Sequence, residues 1–203
     1  MEISQIYSNA KTYGVPVIRS ESHKILEEEV KKTNPFHILE IGTAVGYSGI
    51  LMLKNSTADL TTIEHNKDYI KQANINFKAN NLSNRVKIIT GDCLVEIAKM
   101  VASEKYNNYF DFIFLDGPKA QYDLLLDGLI ELLKPSGTLI VDNVLFRGYV
   151  EKQNSAPTKR YKTIIKRLNT FIENCKNNKN LVDFELRNTE DGIIIAKKVA
   201  NEK

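Results

Sequence analysis

Apolar positions along the chain fall into short continuous runs, separated by longer stretches in which they recur every three or four residues. The runs are HILEIG at residues 37–42, LTTIEH at 60–65, VKIITGD at 86–92, FDFIFLDG at 110–117 and TLIVDN at 138–143. Each is short, rich in β-branched or aromatic residues and bounded by turn formers, the pattern of a strand. Helical spacing occupies residues 22–32, 47–54, 66–79, 93–103, 121–133 and 159–177. Strands alternating with helices of this length predict a parallel, doubly wound sheet. Near-continuous runs such as FIFL and LIV fit strands covered on both faces.

The rhythm changes after residue 177. LVDFELRN, the turn formers Thr189 to Gly192 and GIIIAKK follow in direct succession. Two strands joined by so few residues cannot be linked by a parallel crossover, so they predict an antiparallel hairpin. The expected fold is α/β: a doubly wound, mostly parallel seven-stranded sheet with a C-terminal antiparallel hairpin. It is expected to form one domain over residues 1–203, with residues 1–36 as an N-terminal arm and helix and the stretch around Val15, Pro16 and Val17 extended.

Composition narrows the class. With 203 residues, 42% hydrophobic and 26% charged, the chain is an ordinary globular one, neither disordered nor fibrous. Its longest uncharged stretch, Ile41 to Leu53, falls well short of the ~20 apolar residues that span a bilayer. The N-terminus has no apolar segment followed by a small-residue cleavage site, and Cys93 and Cys175 are too few and too distant for a disulfide framework or a zinc site. A cytoplasmic protein without membrane partners is expected. The net charge of +3 is modest, but residues 147–167 hold seven basic side chains against the single acid Glu151. That local +6 is a solvated helix face or a surface for phosphates.

Candidate chemistry gathers at the strand ends. Glu40-Ile41-Gly42-Thr43-Ala44-Val45-Gly46-Tyr47-Ser48 closes the first strand and opens a helix, where glycines admit close approach of a ligand. Glu64 ends the second strand about 20 residues later, the place from which an acid accepts both hydroxyls of a ribose. Asp92 follows Gly91 at the end of the third strand, beside the place of an adenine ring, and Asp116 ends the fourth. One such acid could cap the next helix, but acids ending four successive strands exceed what capping requires. His23, His37 and His65 have no metal-site spacing and are given no catalytic role.

The segments ILEIGTAVGYS, TTIEHN, GDC, FLDGPKAQY and LKPSGTLIVDNVLFRG and the terminal hairpin together resemble the class I S-adenosylmethionine methyltransferases. The similarity is to the metal-dependent branch that includes catechol and caffeoyl-CoA O-methyltransferases, over roughly residues 15–198. The middle glycine of the family's turn is Ala44 here, a change common in that branch. The resemblance implies S-adenosylmethionine bound by Glu40, Gly42, Thr43, Gly46, Tyr47, Ser48, Glu64, Gly91, Asp92, Cys93 and Asp116. The amides that open the helix at Tyr47 and Ser48 suit the cofactor's carboxylate. It also implies Mg2+ or Mn2+ on Asp116, Asp142 and Asn143, Lys119 as general base beside the catalytic Asp116, and a homodimer. Three protein oxygens leave coordination positions for two adjacent substrate oxygens.

VDNVLFRGYV, the basic stretch after it and the VPVI arm resemble bacterial tRNA 5-hydroxyuridine methyltransferases, which act at the wobble position. O5 and O4 of 5-hydroxyuridine present adjacent oxygens as a catechol does. An anticodon base already lies in a single-stranded loop. On this resemblance tRNA is the partner, with Arg147, Lys159, Arg160 and Lys166 on its phosphates. A catechol-like or caffeoyl-CoA-like small molecule is the alternative, and the phosphates of caffeoyl-CoA would also suit a basic surface.

Overall fold

A computed structural model describes residues 2–146, 148–150, 158–189 and 191–200. The seven strands form one sheet in the order β3-β2-β1-β4-β5-β7-β6. They are β1 (His37–Ile41), β2 (Asp59–Glu64), β3 (Val86–Thr90), β4 (Phe110–Leu115), β5 (Leu133–Asp142), β6 (Leu181–Arg187) and β7 (Ile193–Lys198). The first five pair in parallel, and β7 inserts antiparallel between β5 and β6. Helices α1 (Ile3–Thr12), α2 (Ser20–Thr33), α3 (Tyr47–Lys54), α4 (Lys67–Ala79), α5 (Cys93–Val101), α6 (Tyr122–Leu132) and α7 (Lys159–Asn177) complete it.

Alternation along the strands builds two cores. Ile38, Phe112, Phe114, Ile140, Ile193 and Ile195 pack under α1 to α4. Their neighbours Leu39, Ile113, Leu115, Leu139, Val141 and Ile194 pack under α5 to α7. Phe112 and Phe114 are fully buried, and each contributes on the order of 2–3 kcal/mol by leaving water. Among the described residues no helix is long and apolar enough to cross a membrane.

The helix starts follow local capping chemistry. Asn66 Oδ1 accepts from the amides of Asp68 and Tyr69, and Thr158 Oγ1 accepts from that of Tyr161, each satisfying amides that a helix start leaves open.

Three features depart from the sequence expectation. Residues 3–12, given no element by their pattern, form α1, whose Ile6 and Ala10 are buried. Strand β5 begins at Leu133 rather than 138, through an irregular start in which Ser136 takes a left-handed φ of 63° and the register with β4 shifts. Strand β6 is bulged at Asp183, φ 52°, with a register shift between Val182 and Glu185. Propensity alone reveals neither bulge, because both depend on the partner strand.

Candidate active site

The order of strands places β1 beside β4 at the centre, with crossovers leaving in opposite directions. At such a switch point the carboxyl ends of the strands open into a crevice. Gly42 sits there with φ 99°, and a Cβ on it would collide with the backbone carbonyl of Asp116. Only glycine lets the turn after β1 lie this close to the end of β4. Gly46, φ 82°, opens α3 against the ring of Phe77.

Two adjoining cavities occupy this edge. The first, about 510 Å³, is lined by Gly42, Ala44, Glu64, Gly91, Asp92, Cys93 and Asp116 among others. The second, about 650 Å³, is lined by Tyr7, Lys11, Arg19, Phe146 and Asp191 among others. Pro16, Val17, Lys119 and Asn143 line both. The extended arm expected around residues 15–17 is thus the partition between them.

On the first cavity's wall, Glu64 is held by its own chain. Its Oε1 accepts from the amides of His65 and Asn66, and its Oε2 from that of Ala44. Three of about four acceptor positions are used. Asp92 Oδ1 accepts from the amides of Leu94 and Val95, so this acid caps α5 as well as lining the cavity. Cys93 donates to Gln121 Oε1 at 3.0 Å, and burial pushes its thiol up to about 11. It is no nucleophile.

Glu40, Thr43, Gly46, Tyr47 and Ser48 line neither cavity; they lie behind the wall. Ser48 Oγ donates to Glu40 Oε1 at 2.5 Å, Thr62 Oγ1 donates to Glu40 Oε2 at 2.6 Å, and Thr43 and Thr62 share a 2.6 Å hydrogen bond. Burial lifts the Glu40 carboxyl to about 7, against the two hydroxyl bonds that pull it down. The Tyr47 hydroxyl pairs with His23 Nδ1 at 2.7 Å. These residues brace the glycine turn from beneath.

Asp116, just past β4, lines the first cavity, while Asp142, the last residue of β5, lines neither and lies behind Asn143, which lines both. Burial raises Asp142 above the usual carboxylate range and the charge of Asp116 raises it further; hydrogen bonds from Ser22 and the Asn143 amide oppose this. Asp116 is raised by burial too, against the pull of Lys119, whose Nζ lies 3.7 Å from its Oδ1. Asp142 is fully buried, and its Oδ2 has no hydrogen-bond partner. Asn143, φ 62°, turns the chain out of the strand. The phenol of Tyr122 donates to the Asp142 carbonyl at 3.1 Å, so this tyrosine is core with one buried bond to the site.

A divalent cation is the group whose fit these residues test. An orphaned, buried carboxylate oxygen next to a second acid is a frustrated arrangement that a cation relieves. An all-oxygen donor set suits a hard ion. Among the described residues no cluster of three or more His, Cys, Asp or Glu is suited to a metal; what the strand ends offer is two carboxylates with the side-chain amide of Asn143. The residues fit.

Spacing did not reveal Ser22, Arg19 or Asp191. Ser22 donates to Asp142 Oδ1 at 2.8 Å, and Arg19 pairs with Asp191 at 2.9 Å on the second cavity. Asp191 was legible only as part of a turn. Lys159, Arg160 and Lys166 are exposed on α7. Tyr161, near their end of the helix, packs edge-on against Phe146 with centroids 5.1 Å apart. Arg147 and Lys152 lie outside the described residues.

A mostly parallel seven-stranded sheet whose last strand in sequence runs backwards between its neighbours is the Rossmann-like methyltransferase architecture. A candidate caffeoyl-CoA O-methyltransferase of Staphylococcus aureus superposes with a TM-score of 0.88 at 28% identity, over 98% of this chain and 92% of that one. Residues 6–199 match the O-methyltransferase family, and the chain belongs to it. A catechol O-methyltransferase of Niastella koreensis is 30% identical over 146 residues, covering 70% of this chain and 65% of that protein. An O-methyltransferase of Bacillus cereus, solved with S-adenosylhomocysteine, shares the fold at 24% identity and a TM-score of 0.82, over 97% of this chain and 90% of that one. The chain spans 62–65% of the length of curated relatives of this kind.

Proposed function

We propose that the protein is an S-adenosylmethionine-dependent O-methyltransferase that uses a divalent cation and methylates 5-hydroxyuridine in the anticodon loop of tRNA. Family membership supports the reaction class, and the cofactor assignment rests on the first cavity. There Glu64, oriented by three amides, keeps about one acceptor position for a ribose hydroxyl. The close approach of Gly42 to Asp116 brings the cofactor's wall beside the acidic pair.

Asp116, Asp142 and Asn143 would hold the cation, which when bound supplies Lewis-acid stabilisation to an acceptor oxyanion. The chain itself does the rest. The arm contributes Pro16 and Val17 to the walls of both cavities and narrows the space around the transfer. Lys119, on both linings, would first release its own proton to solvent and then, as the free amine, take the acceptor's hydroxyl proton at Nζ. Aligning sulfonium, methyl and oxygen in one geometry can account for roughly 7–11 kcal/mol of a barrier.

The observation that carries the RNA reading is the position of α7. Its exposed basic residues Lys159, Arg160 and Lys166 are tied through Tyr161 to Phe146, which lines the second cavity. A phosphate chain entering that cavity would run past them. The 30% identity to a catechol O-methyltransferase favours a second reading, a small diol or an acyl-CoA phenol. The test offers purified protein tRNA bearing 5-hydroxyuridine and a panel of catechols and acyl-CoA phenols, with and without EDTA. Methylation of the tRNA, lost in EDTA and restored by magnesium, is expected. Transfer to the phenols with none to the tRNA promotes the second reading, and turnover that EDTA leaves intact removes the cation.

A further inference from the structure

Helix α2 buries Ser22, Leu26, Glu29 and Val30, a stripe one face wide in which leucine and valine are the ordinary occupants. Glu29 reaches Lys32 and Arg187 at its rim. Ser22 is 2% exposed, and a buried hydroxyl is tolerated only with a partner. Its partner is Asp142, 120 residues away, at 2.8 Å.

That bond decides which carboxylate oxygen is engaged. Asp142 Oδ1 accepts from both Ser22 Oγ and the Asn143 amide, at 2.8 and 2.9 Å, while Oδ2 is left unpartnered and buried. The torsion that turns a carboxylate is broad and roughly two-fold, so a single backbone amide fixes it poorly. Two donors converging on one oxygen from different elements fix it well. The serine is itself presented from a held element, since Arg19, beside the start of α2, pairs with Asp191 at 2.9 Å.

We infer that Ser22 is a positioning residue for the cation site: its hydroxyl locks Asp142 through Oδ1 so that Oδ2 is the ligand atom. The inference rests on the reading of Asp116, Asp142 and Asn143 as cation ligands. Outer-shell hydrogen bonds of this kind change metal affinity by about 10–100-fold when removed.

The test measures Mn2+ binding by electron paramagnetic resonance, and S-adenosylhomocysteine binding by calorimetry, in the wild type, Ser22→Ala, Ser22→Cys and Ser22→Thr. Mn2+ affinity is expected to fall about 10–100-fold in the alanine and cysteine variants, with S-adenosylhomocysteine affinity within about twofold of wild type. Ser22→Thr keeps the hydroxyl and is expected to recover most of the loss. Cysteine fills the space that alanine empties, slightly larger than serine and with only a weak donor, so the alanine and cysteine pair brackets the packing effect even where threonine disturbs it. Mn2+ affinity unchanged in both, or a parallel loss of both ligands, overturns the inference and leaves the cation site standing. A wild-type protein that binds no Mn2+ overturns the cation site and the inference with it.

Discussion

The two halves of the sheet edge treat their acids in opposite ways. On the β1 to β3 side, Glu64 receives three backbone amides, one from within the glycine turn and two from the residues just after Glu64 itself, and Asp92 receives two from the start of α5. On the β4 to β5 side, Asp116 has Lys119 at 3.7 Å and Asp142 has an oxygen with no partner, while burial raises both and the charge of Asp116 raises Asp142 further. The first half is complete as the chain folds, and it waits for a ligand that adds hydrogen bonds. The second half is electrostatically unfavourable when both acids are ionised, and a proton or a bound cation relieves it. Sites that depart from local consistency in this way are where function is expected.

The sharpest way to break the contrast is Asp142→Asn. It removes a negative charge at little change of volume, so turnover should fall by about 10³-fold or more, roughly 4 kcal/mol of transition-state stabilisation. S-adenosylhomocysteine affinity should persist. The cation-free protein should be stabilised, by roughly 1 kcal/mol, because a like-charge buried pair has been relieved. Steady-state rates with chemical denaturation in EDTA test both halves of this statement; a variant that is both active and less stable would show that the acids are not in conflict.

Glu40 is the one acid of the first half that does not conform. Its carboxyl, lifted from 4.5 to about 7 by burial, binds a proton in the folded state that the unfolded chain has already released. Stability is therefore greatest below about pH 4.5 as far as this group is concerned, and is lost as pH rises through about 7. The loss is about 3 kcal/mol. In Glu40→Gln the hydroxyls of Ser48 and Thr62 keep a partner, so the decline between pH 5 and 8 should flatten by about that amount. Urea unfolding of the ligand-free protein at both pH values measures it, and an unchanged slope would mean that Glu40 is ionised in the fold.

A smaller effect follows from Glu64→Ala. On the proposed reading the first half loses its acceptor for the ribose, and the three amides on that carboxylate lose theirs. Binding of S-adenosylhomocysteine should weaken by about 30-fold, near 2 kcal/mol for charge-assisted bonds. Calorimetry reads the change directly, and equal affinity in the variant would remove the ribose from Glu64.

The same contrast governs what could be read from sequence. Asp92 makes its contacts within a few residues and Glu64 two of its three, so spacing after a strand pointed to both; the Ala44 amide on Glu64 and the approach of Gly42 to Asp116 are tertiary. The parallel strands were legible because two-sided burial leaves unbroken apolar runs such as FIFL and LIV. Ser22 with Asp142 and Arg19 with Asp191 join opposite ends of the chain, and no periodicity records a contact that only the tertiary fold creates. Glu40, Thr43, Gly46, Tyr47 and Ser48, expected on the cofactor, line neither cavity, since a motif names positions without saying which side chains point into the cavity. The N-terminal α1 was missed because its two buried positions, Ile6 and Ala10, make too narrow a stripe to stand out.

The weakest effect tests whether the second half extends onto α7. Lys159 and Arg160 are exposed and lie at the end of the helix that Tyr161 ties to the cavity wall, away from Asp116 and Glu64 in sequence. Each phosphate contact releases counterions, so its loss should reduce the slope of log affinity against log salt by roughly 0.7–0.9. Replacing both residues by alanine should flatten the slope for tRNA by roughly 1.4–1.8. Affinity for S-adenosylhomocysteine should stay near wild type, and transfer to any uncharged diol should be unaffected, because no phosphate backbone is held in that case. Titrations of tRNA at several salt concentrations give the slopes for both proteins. Parallel lines would confine the second half to the cavity and remove α7 from the acceptor site. A flattened slope, with the Asp142→Asn defect unchanged in the same background, would show that the helix holds the acceptor while the acids act on it.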